Sequence, residues 1–344
     1  MVAKVELKTS PHLRSAPSVE QIMRNVVYAL LPIVAFAIYQ FGLSALVLTI
    51  TVVASCLGTE RLFNWLSGKP STLSDWSAVI TGLLLALTLP PAFPLWMGAV
   101  AGFAAIAIGK ALFGGLGFNV FNPALVGRAF VQAAFPVAIS TWTPAFAPGR
   151  FMEFIPSTLA LPFMKPPAVD DWVAAQAVDT FTGATPLAQW KFDGEIVDSW
   201  SLFSGMTTGS SGETSALLIL VCGAYLALRR MMNWQIPAAM LLGAALTALP
   251  FWLYAPETYP SPVFVLFSGG LMLGAVFMAS DMVASPVTPR GLWIYGLLMG
   301  FLTVVIRFWG GLPEGVMYAI LLGNAASPLI ESITQPRIYG ERKG

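Results

Sequence analysis

Residues that hold metals are nearly missing from this sequence: two cysteines and one histidine, His12, are spread over 344 residues. Cys56 and Cys222 fall in different apolar stretches. A protein-held iron-sulfur cluster needs about four thiolates, a zinc site needs three or four close ligands, and haem usually takes an axial histidine. No such pattern is present, so no metal site and no catalytic residue is assigned. An electron-transfer role would require an organic cofactor or ligands shared with another chain. A Gly-rich dinucleotide loop opening a helix is also missing, and no nucleic-acid partner is expected. The first 23 residues lack the apolar run of a cleavable signal peptide, which leaves the first apolar span as the insertion signal.

Charge is the other scarce commodity. Only 10% of residues are charged, against ~25% in ordinary soluble domains, while 56% are hydrophobic and the mean hydropathy is +0.74. The stretches 26–38, 99–108 and 293–306 contain no charge. Lipid is the natural solvent for such runs. The sequence therefore predicts an all-α polytopic membrane protein of about ten transmembrane helices, near 24–40, 42–57, 77–91, 95–113, 117–137, 214–229, 235–254, 262–279, 291–308 and 314–333. An even number of spans puts both termini on one side. All of the 18 Lys and Arg except Arg150, Lys165, Lys191 and Arg307 then fall on that side, and the positive-inside rule makes it cytoplasmic. The expected location is a bacterial inner membrane.

The spans divide into two groups of five, giving a cytoplasmic segment 1–23, a first half 24–139, a periplasmic lobe 140–213, a second half 214–333 and a cytoplasmic tail 334–344. A connection of that length inside a compact helical protein is functional or disordered, and its many Trp and Phe argue for order. Five spans per half means that the halves enter the membrane with opposite polarity, as in inverted repeats. Faint echoes agree: Asn119-Val120-Phe121-Asn122-Pro123 matches Asn324-Ala325-Ala326-Ser327-Pro328, and Phe113-Gly114-Gly115 matches Trp309-Gly310-Gly311. Proline-broken runs, Leu87-Thr88-Leu89-Pro90-Pro91 and Ser285-Pro286-Val287-Thr288-Pro289, free carbonyls for other partners. They mark either a binding site at the repeat interface or plain punctuation at helix ends.

Inside the lobe runs Thr182-Gly183-Ala184-Thr185-Pro186-Leu187. Gly183 and Ala184 remove side-chain bulk so that another molecule can approach the backbone, and Thr185 offers its hydroxyl. Threonine is a poor nucleophile without an adjacent base, and no histidine is at hand, so any modification needs an external enzyme. Gly209-Ser210-Ser211-Gly212-Glu213 precedes the sixth span, where helix N-H groups favour an anion. Ser210 and Glu213 also have the spacing of a capping box, which needs no ligand. Asn119, Asn122 and Arg128 open the fifth span, where polar groups face protein or cofactor or bond between helices; Arg128 is expected near the cytoplasmic edge. Among membrane-proximal acids, Asp281 beside the second proline run is the candidate for ion coupling, and Glu60, Asp75 and Glu331 read as interfacial carboxylates.

The hexapeptide at 182–187 resembles the flavinylation motif of the RnfD/NqrB family of membrane subunits, in which Ser or Thr is followed by Gly-Ala-Thr-x-Leu. The likeness extends to Ser10-Pro11-His12, Thr81-Gly82 through Pro90-Pro91, Gly109-Lys110 with Phe113-Gly114-Gly115-Leu116-Gly117, Phe121-Asn122-Pro123-Ala124, and Gly209-Ser210 with Gly212-Glu213. The short N-terminus is most similar to RnfD. Thr182 stands where serine is commoner and keeps the hydroxyl. The resemblance implies FMN joined through its phosphate to Thr185 by a dedicated flavin transferase, and a second flavin, riboflavin, between the helices. It implies a relay of single electrons in an ion-translocating ferredoxin:NAD oxidoreductase of the Rnf type, coupled to Na+ or H+, with no complete active site in this chain alone. Iron-sulfur subunits and a second flavinylated subunit would be the partners. A secondary transporter or channel without redox function is the rival reading, since it would show the same inverted halves.

Overall fold

The computed structural model describes residues 18–164, 166, 167, 169, 172, 185–205, 209–213 and 215–336. Within them every regular element is helical. Lipid leaves unpaired backbone groups no water partner, and the helix satisfies them internally. The main elements are α1 (Val19–Phe41), α2 (Leu43–Leu66), α3 (Ser77–Thr88), α4 (Leu95–Gly109), α5 (Pro123–Ala134), α6 (Ala216–Leu228), α7 (Gln235–Tyr254), α8 (Pro262–Phe267), α9 (Pro289–Trp309) and α10 (Val316–Thr334). Six are long and apolar enough to cross a membrane: α1, α2, α4 with its 3-10 extension to Phe113, α7, α9 and α10. The chain is a multi-pass membrane protein. The other four expected spans coincide with shorter or interrupted helices, α3, α5, α6 and α8.

Local chemistry sets the boundaries. Ser18 Oγ accepts from Gln21 N (3.2 Å) to start α1, with Glu20 in the first turn. Gly42 ends α1 at φ 72°, and Arg150 O, which accepts from Leu43 N (2.8 Å), closes the space where a Cβ would stand. Helix α3 stops at its prolines. Pro90 and Pro91 have no N-H to give to the carbonyls four residues back, and the freed Leu87 O accepts instead from Gly212 N (2.8 Å). Leu89 O accepts from Ser211 N (3.2 Å) and Ser211 Oγ (2.9 Å). Loop 209–213 is thus fastened to the end of α3.

Of the two readings of the second proline run, the structure shows punctuation at a helix end. Thr288 Oγ1 accepts from Gly291 N (3.1 Å) and Pro289 is the first residue of α9, so this run is a helix start, where proline costs nothing. The eighth span is instead interrupted at Ser268-Gly269-Gly270 and resumes as a short turn, Leu271–Leu273, and a π-helical turn, Gly274–Met278.

Helices pack through small residues that let backbones approach. In the first half α4 lies on α2 through Gly98 and Gly102, and α5 lies on α4 through Gly127; in the second, α9 lies on α7 through Gly296 and Gly300. Contacts of α4 with α5 are matched by contacts of α9 with α10. Both halves feed one core, in which Leu30, Val52, Leu85 and Ile106 join Ile219, Met240, Tyr295 and Ile320. From segment 140–213, Ile155, Val169 and Trp172 pack on Ala92, while Leu187, Leu202 and Trp190 pack on Phe264 and Phe267 of α8. Lys191 Nζ ties this segment to the end of α9 by donating to the carbonyls of Arg307 (2.8 Å), Gly310 (2.5 Å) and Leu312 (3.0 Å).

Candidate functional site

Most of the cofactor-site candidates singled out in the sequence line two cavities, one walled by the first turns of α3 and the other by Thr185 and loop 209–213. The first is a partly open cleft that reaches from α1 across α3 to the π-helical turn. Asn122 stands at its inner wall because it caps α5: Oδ1 accepts from Ala124 N (3.0 Å) and Leu125 N (3.4 Å), and Pro123 follows at the first helical position. That leaves the amide nitrogen free to donate to Met278 O (3.2 Å), at the end of the π-helical turn. Asn324, oriented so that its amide satisfies its surroundings, accepts from Asn122 N (3.0 Å) and donates to Ile320 O (3.2 Å). The two Asn-Pro segments that echo each other in sequence therefore meet in space.

Asn119 and Asp281 line the same cleft with Ser77, Thr81 and Lys110, among apolar walls from α1, α3, α6 and the π-helical turn. Asp281 Oδ1 accepts from Val283 N (3.0 Å). Burial pushes its carboxyl pKa up, against the opposing hydrogen bonds from Val283 and the Asn119 side chain. One edge of the cleft is an ion pair that the sequence did not reveal: Lys110 Nζ lies 2.7 Å from Glu60 and donates to Ser77 Oγ (2.6 Å), with both charged side chains buried. Glu60, expected as an interfacial carboxylate, is instead sequestered on α2 and also accepts from Thr72 Oγ1.

The second cavity is lined by Thr185, Pro186 and Leu187 together with Arg128, Trp142, Gly209, Ser210, Glu213, Gly269 and Glu314. Thr185, Gly209, Ser210 and Glu213 were all named from sequence, and here they converge. Thr185 caps a short turn, its Oγ1 accepting from Ala188 N (3.3 Å). Thr182, Gly183 and Ala184 lie outside the described residues. Gly212 sits behind the cavity, packed so closely on α3 that a Cβ would fall 2.6 Å from Leu87 Cδ2. The capping-box reading of Ser210 and Glu213 does not hold: Ser215 caps α6 by accepting from Leu218 N (3.4 Å), and Ser210 Oγ donates to Glu213 Oε2 (2.7 Å).

Arg128 was expected beside Asn119 and Asn122 near the cytoplasmic edge. The structure moves it into the Thr185 cavity, because α5 begins only at Pro123 and places Arg128 six residues beyond its cap, roughly 9 Å along the axis at ~1.5 Å per residue. There it lies 3.8 Å from Glu213 and is 6% exposed, and its Nη1 makes no hydrogen bond among the described residues. A second pair closes the cavity floor. Arg307, fully buried, donates to Val265 O (2.7 Å) and Ser268 O (3.0 Å) at the interruption of α8 and meets Glu314 at 3.2 Å. Burial would raise the Glu314 pKa, but Arg307 and the N-H groups of Gly270 and Val316 outweigh it and hold the carboxyl below its usual value. Neither Glu314 nor its pairing with Arg307 was read from sequence; only a hydrophobic span ending in Arg and followed by a Gly-rich turn hinted that something must cap it.

The model of the NQR2, RnfD, RnfE family matches residues 6–340. The chain belongs to this family. Among its relatives, a subunit of the Na(+)-translocating ferredoxin:NAD(+) oxidoreductase complex of Acetobacterium woodii is 42% identical over 98% of this chain and 96% of its own length. A subunit of the proton-translocating ferredoxin:NAD(+) oxidoreductase complex of Clostridium ljungdahlii is 39% identical over 98% and 96%. A third relative, from the ion-translocating oxidoreductase complex of Escherichia fergusonii, is 37% identical over 98% and 99%. The RnfD-like kinship read from the motifs is thereby shown, and the NQR2/RnfD/RnfE likeness covers both cavities and the chain between them.

Proposed function

We propose that this chain is the flavin-bearing electron-relay subunit of an Rnf-type ion-translocating ferredoxin:NAD oxidoreductase, with FMN esterified to Thr185 and riboflavin in the cleft behind Asn122. The observation that carries this reading is the convergence of Thr185 with Arg128, whose buried Nη1 has no hydrogen-bond partner among the described residues, in one cavity. Buried polar groups are nearly always paired, and a phosphodiester on Thr185 supplies the missing acceptor. Thr185 Oγ1 serves locally as an acceptor, a role that an ester oxygen can retain. Bound flavin supplies one-electron transfer.

The residues divide the work. Arg128 neutralises the phosphodiester and Ser210, Trp142 and Leu187 form its walls, while Gly212 holds the loop against α3. In the cleft, Asn119, Asn122 and Thr81 offer hydrogen bonds to a polar edge and the apolar walls accommodate a ring. The two seats are fixed by one rigid element, since α5 carries Asn122 at one end and Arg128 further along. Asp281, bonded by Asn119 at the cleft, is the ion-coupling candidate. The topology proposed is ten spans in two inverted halves in a bacterial inner membrane, with cytoplasmic termini; the matched packing of α2 on α4 and α7 on α9 supports the relation between the halves. The names of the relatives support assembly with other subunits of such a complex. A flavin transferase, iron-sulfur subunits and a second flavinylated subunit complete the proposal.

The test is a denaturing gel viewed for flavin fluorescence. A band that glows only with co-expressed flavin transferase and darkens in Thr185→Val supports the relay. A dark wild-type band under those conditions overturns it in favour of a transporter without redox function.

A further inference from the structure

Around the interruption of α8, two buried guanidinium groups meet two largely shielded carboxyl groups, and the carboxyls are not equivalent. Glu314 is fully engaged, by Arg307 (3.2 Å), Gly270 N (3.1 Å) and Val316 N (3.2 Å). Among the described residues the Glu213 side chain accepts one hydrogen bond, from Ser210 Oγ to Oε2 (2.7 Å), and its Oε1 lies 3.8 Å from Arg128, beyond hydrogen-bond reach. Arg128 Nη1 is correspondingly unpartnered among the described residues, and both side chains face the Thr185 cavity. The cation and its carboxylate stand side by side on the wall of one cavity, from which an anion can approach Arg128.

We propose that Glu213 is a proton-exchanging counter-ion, which yields Arg128 to the phosphodiester on Thr185 and takes up a proton as that anion arrives. The inference rests on the esterification of Thr185 proposed above. Without the ester, the charges of Arg128, Arg307, Glu213 and Glu314 sum to zero. A phosphodiester adds one buried negative charge, and a buried group commonly responds to such an excess by neutralising rather than staying ionised. Glu314 is held ionised by its three partners, so Glu213 is the group that responds. It is already poised to do so: burial, offset by Arg128, opposed again by Glu314 and eased by Ser210 and Arg307, pushes its carboxyl up to about 7. The proton comes from solvent on the lobe side: one O-H bond forms on Glu213 as one O-H bond of a hydronium ion breaks and leaves water, and no electron moves. Gly270 leaves the space for this carboxyl, since a Cβ there would fall 2.6 Å from Glu213 Oε1.

The experiment uses the full chain purified at pH 8 with and without co-expressed transferase, its flavin content checked by intact mass. The infrared spectrum of the unmodified protein is subtracted from that of the flavinylated protein. The same difference for Glu213→Gln then removes the flavin's own carbonyl bands. The expected remainder is the stretch of one protonated carboxyl per flavin, with Glu213→Asp restoring a band at a shifted position and showing that the cavity still folds. A double difference with no protonated-carboxyl band in flavin-loaded protein, or a band that persists in Glu213→Gln, overturns the inference and leaves the esterification standing. Protein that gains no FMN mass overturns the esterification, and the inference with it.

Discussion

Removing Arg307 tests whether the interruption of α8 is held by charge. In Arg307→Met the carbonyls of Val265 and Ser268 lose their donors and Glu314 loses its only close cation among the described residues. Breaking a buried pair by deleting one partner costs ~3–5 kcal/mol. Unfolding entropy of ~2.1 cal/mol/K per residue over 344 residues is about 0.7 kcal/mol/K, so the apparent Tm in detergent should fall by about 4–7 °C. Arg307→Met combined with Glu314→Gln should recover part of that loss, because the second change removes the stranded charge; coupling of ~1–3 kcal/mol is expected between contacting partners, or about 1–4 °C. Thermal melts followed by intrinsic tryptophan fluorescence give all four values of the cycle. A double variant that melts lower than the sum of the two singles would refute the idea that Glu314 is stabilised chiefly by Arg307.

Asn122→Asp keeps the cap on α5 but loses the amide donor to Met278, whereas Asn122→Ala loses both and should cost ~1 kcal/mol more in stability; both should release non-covalent flavin during gel filtration, and retention in either contradicts the assignment of the cleft. Glu213 gives a pH signature. Its folded pKa of about 7 lies above the ordinary 4.5, so its contribution to stability is fully present below 4.5 and is lost as pH rises towards 7. In protein lacking the transferase, the Tm advantage of wild type over Glu213→Gln should therefore shrink between pH 4.5 and 7, and a difference that grows over that range counts against burial as the cause. Lys110→Met strands Glu60 in the protein interior and should lower the Tm, with Glu60→Gln restoring part of the loss; the absence of any rescue in the double variant would show that the pair is not mutually dependent.

The parts legible in the sequence were those that depend on neighbours along the chain. Hydropathy located the long helices because an apolar run needs no partner to announce itself, and the hexapeptide ending at Leu187 marked Thr185 by its own local pattern. Loop 209–213 was legible as a site but not in its mechanism: the spacing that suggested an anion seat or a cap says nothing of Leu87 and Leu89, whose carbonyls it satisfies from far along the chain. Arg128 was grouped with Asn119 and Asn122 at the start of the fifth span because the apolar pattern from 117 onward hid the late start of α5, set by the Asn122 cap and Pro123. The proline run at 285–289 could be read as an interruption or as punctuation at a helix end, because proline at a helix start and proline inside a span have the same composition and differ only in what precedes them. The true interruption, at Gly269 and Gly270, is stabilised by Arg307 and Glu314, and such long-range charge pairing leaves no trace in local sequence.

The most direct measurement is peptide mass spectrometry on protein expressed with its flavin transferase and digested without reducing treatment. The account predicts that the peptide containing Thr185 carries the mass of FMN on that residue and that the same peptide from Thr185→Val does not. A bare Thr185 peptide, or FMN mapped to another residue, would contradict it.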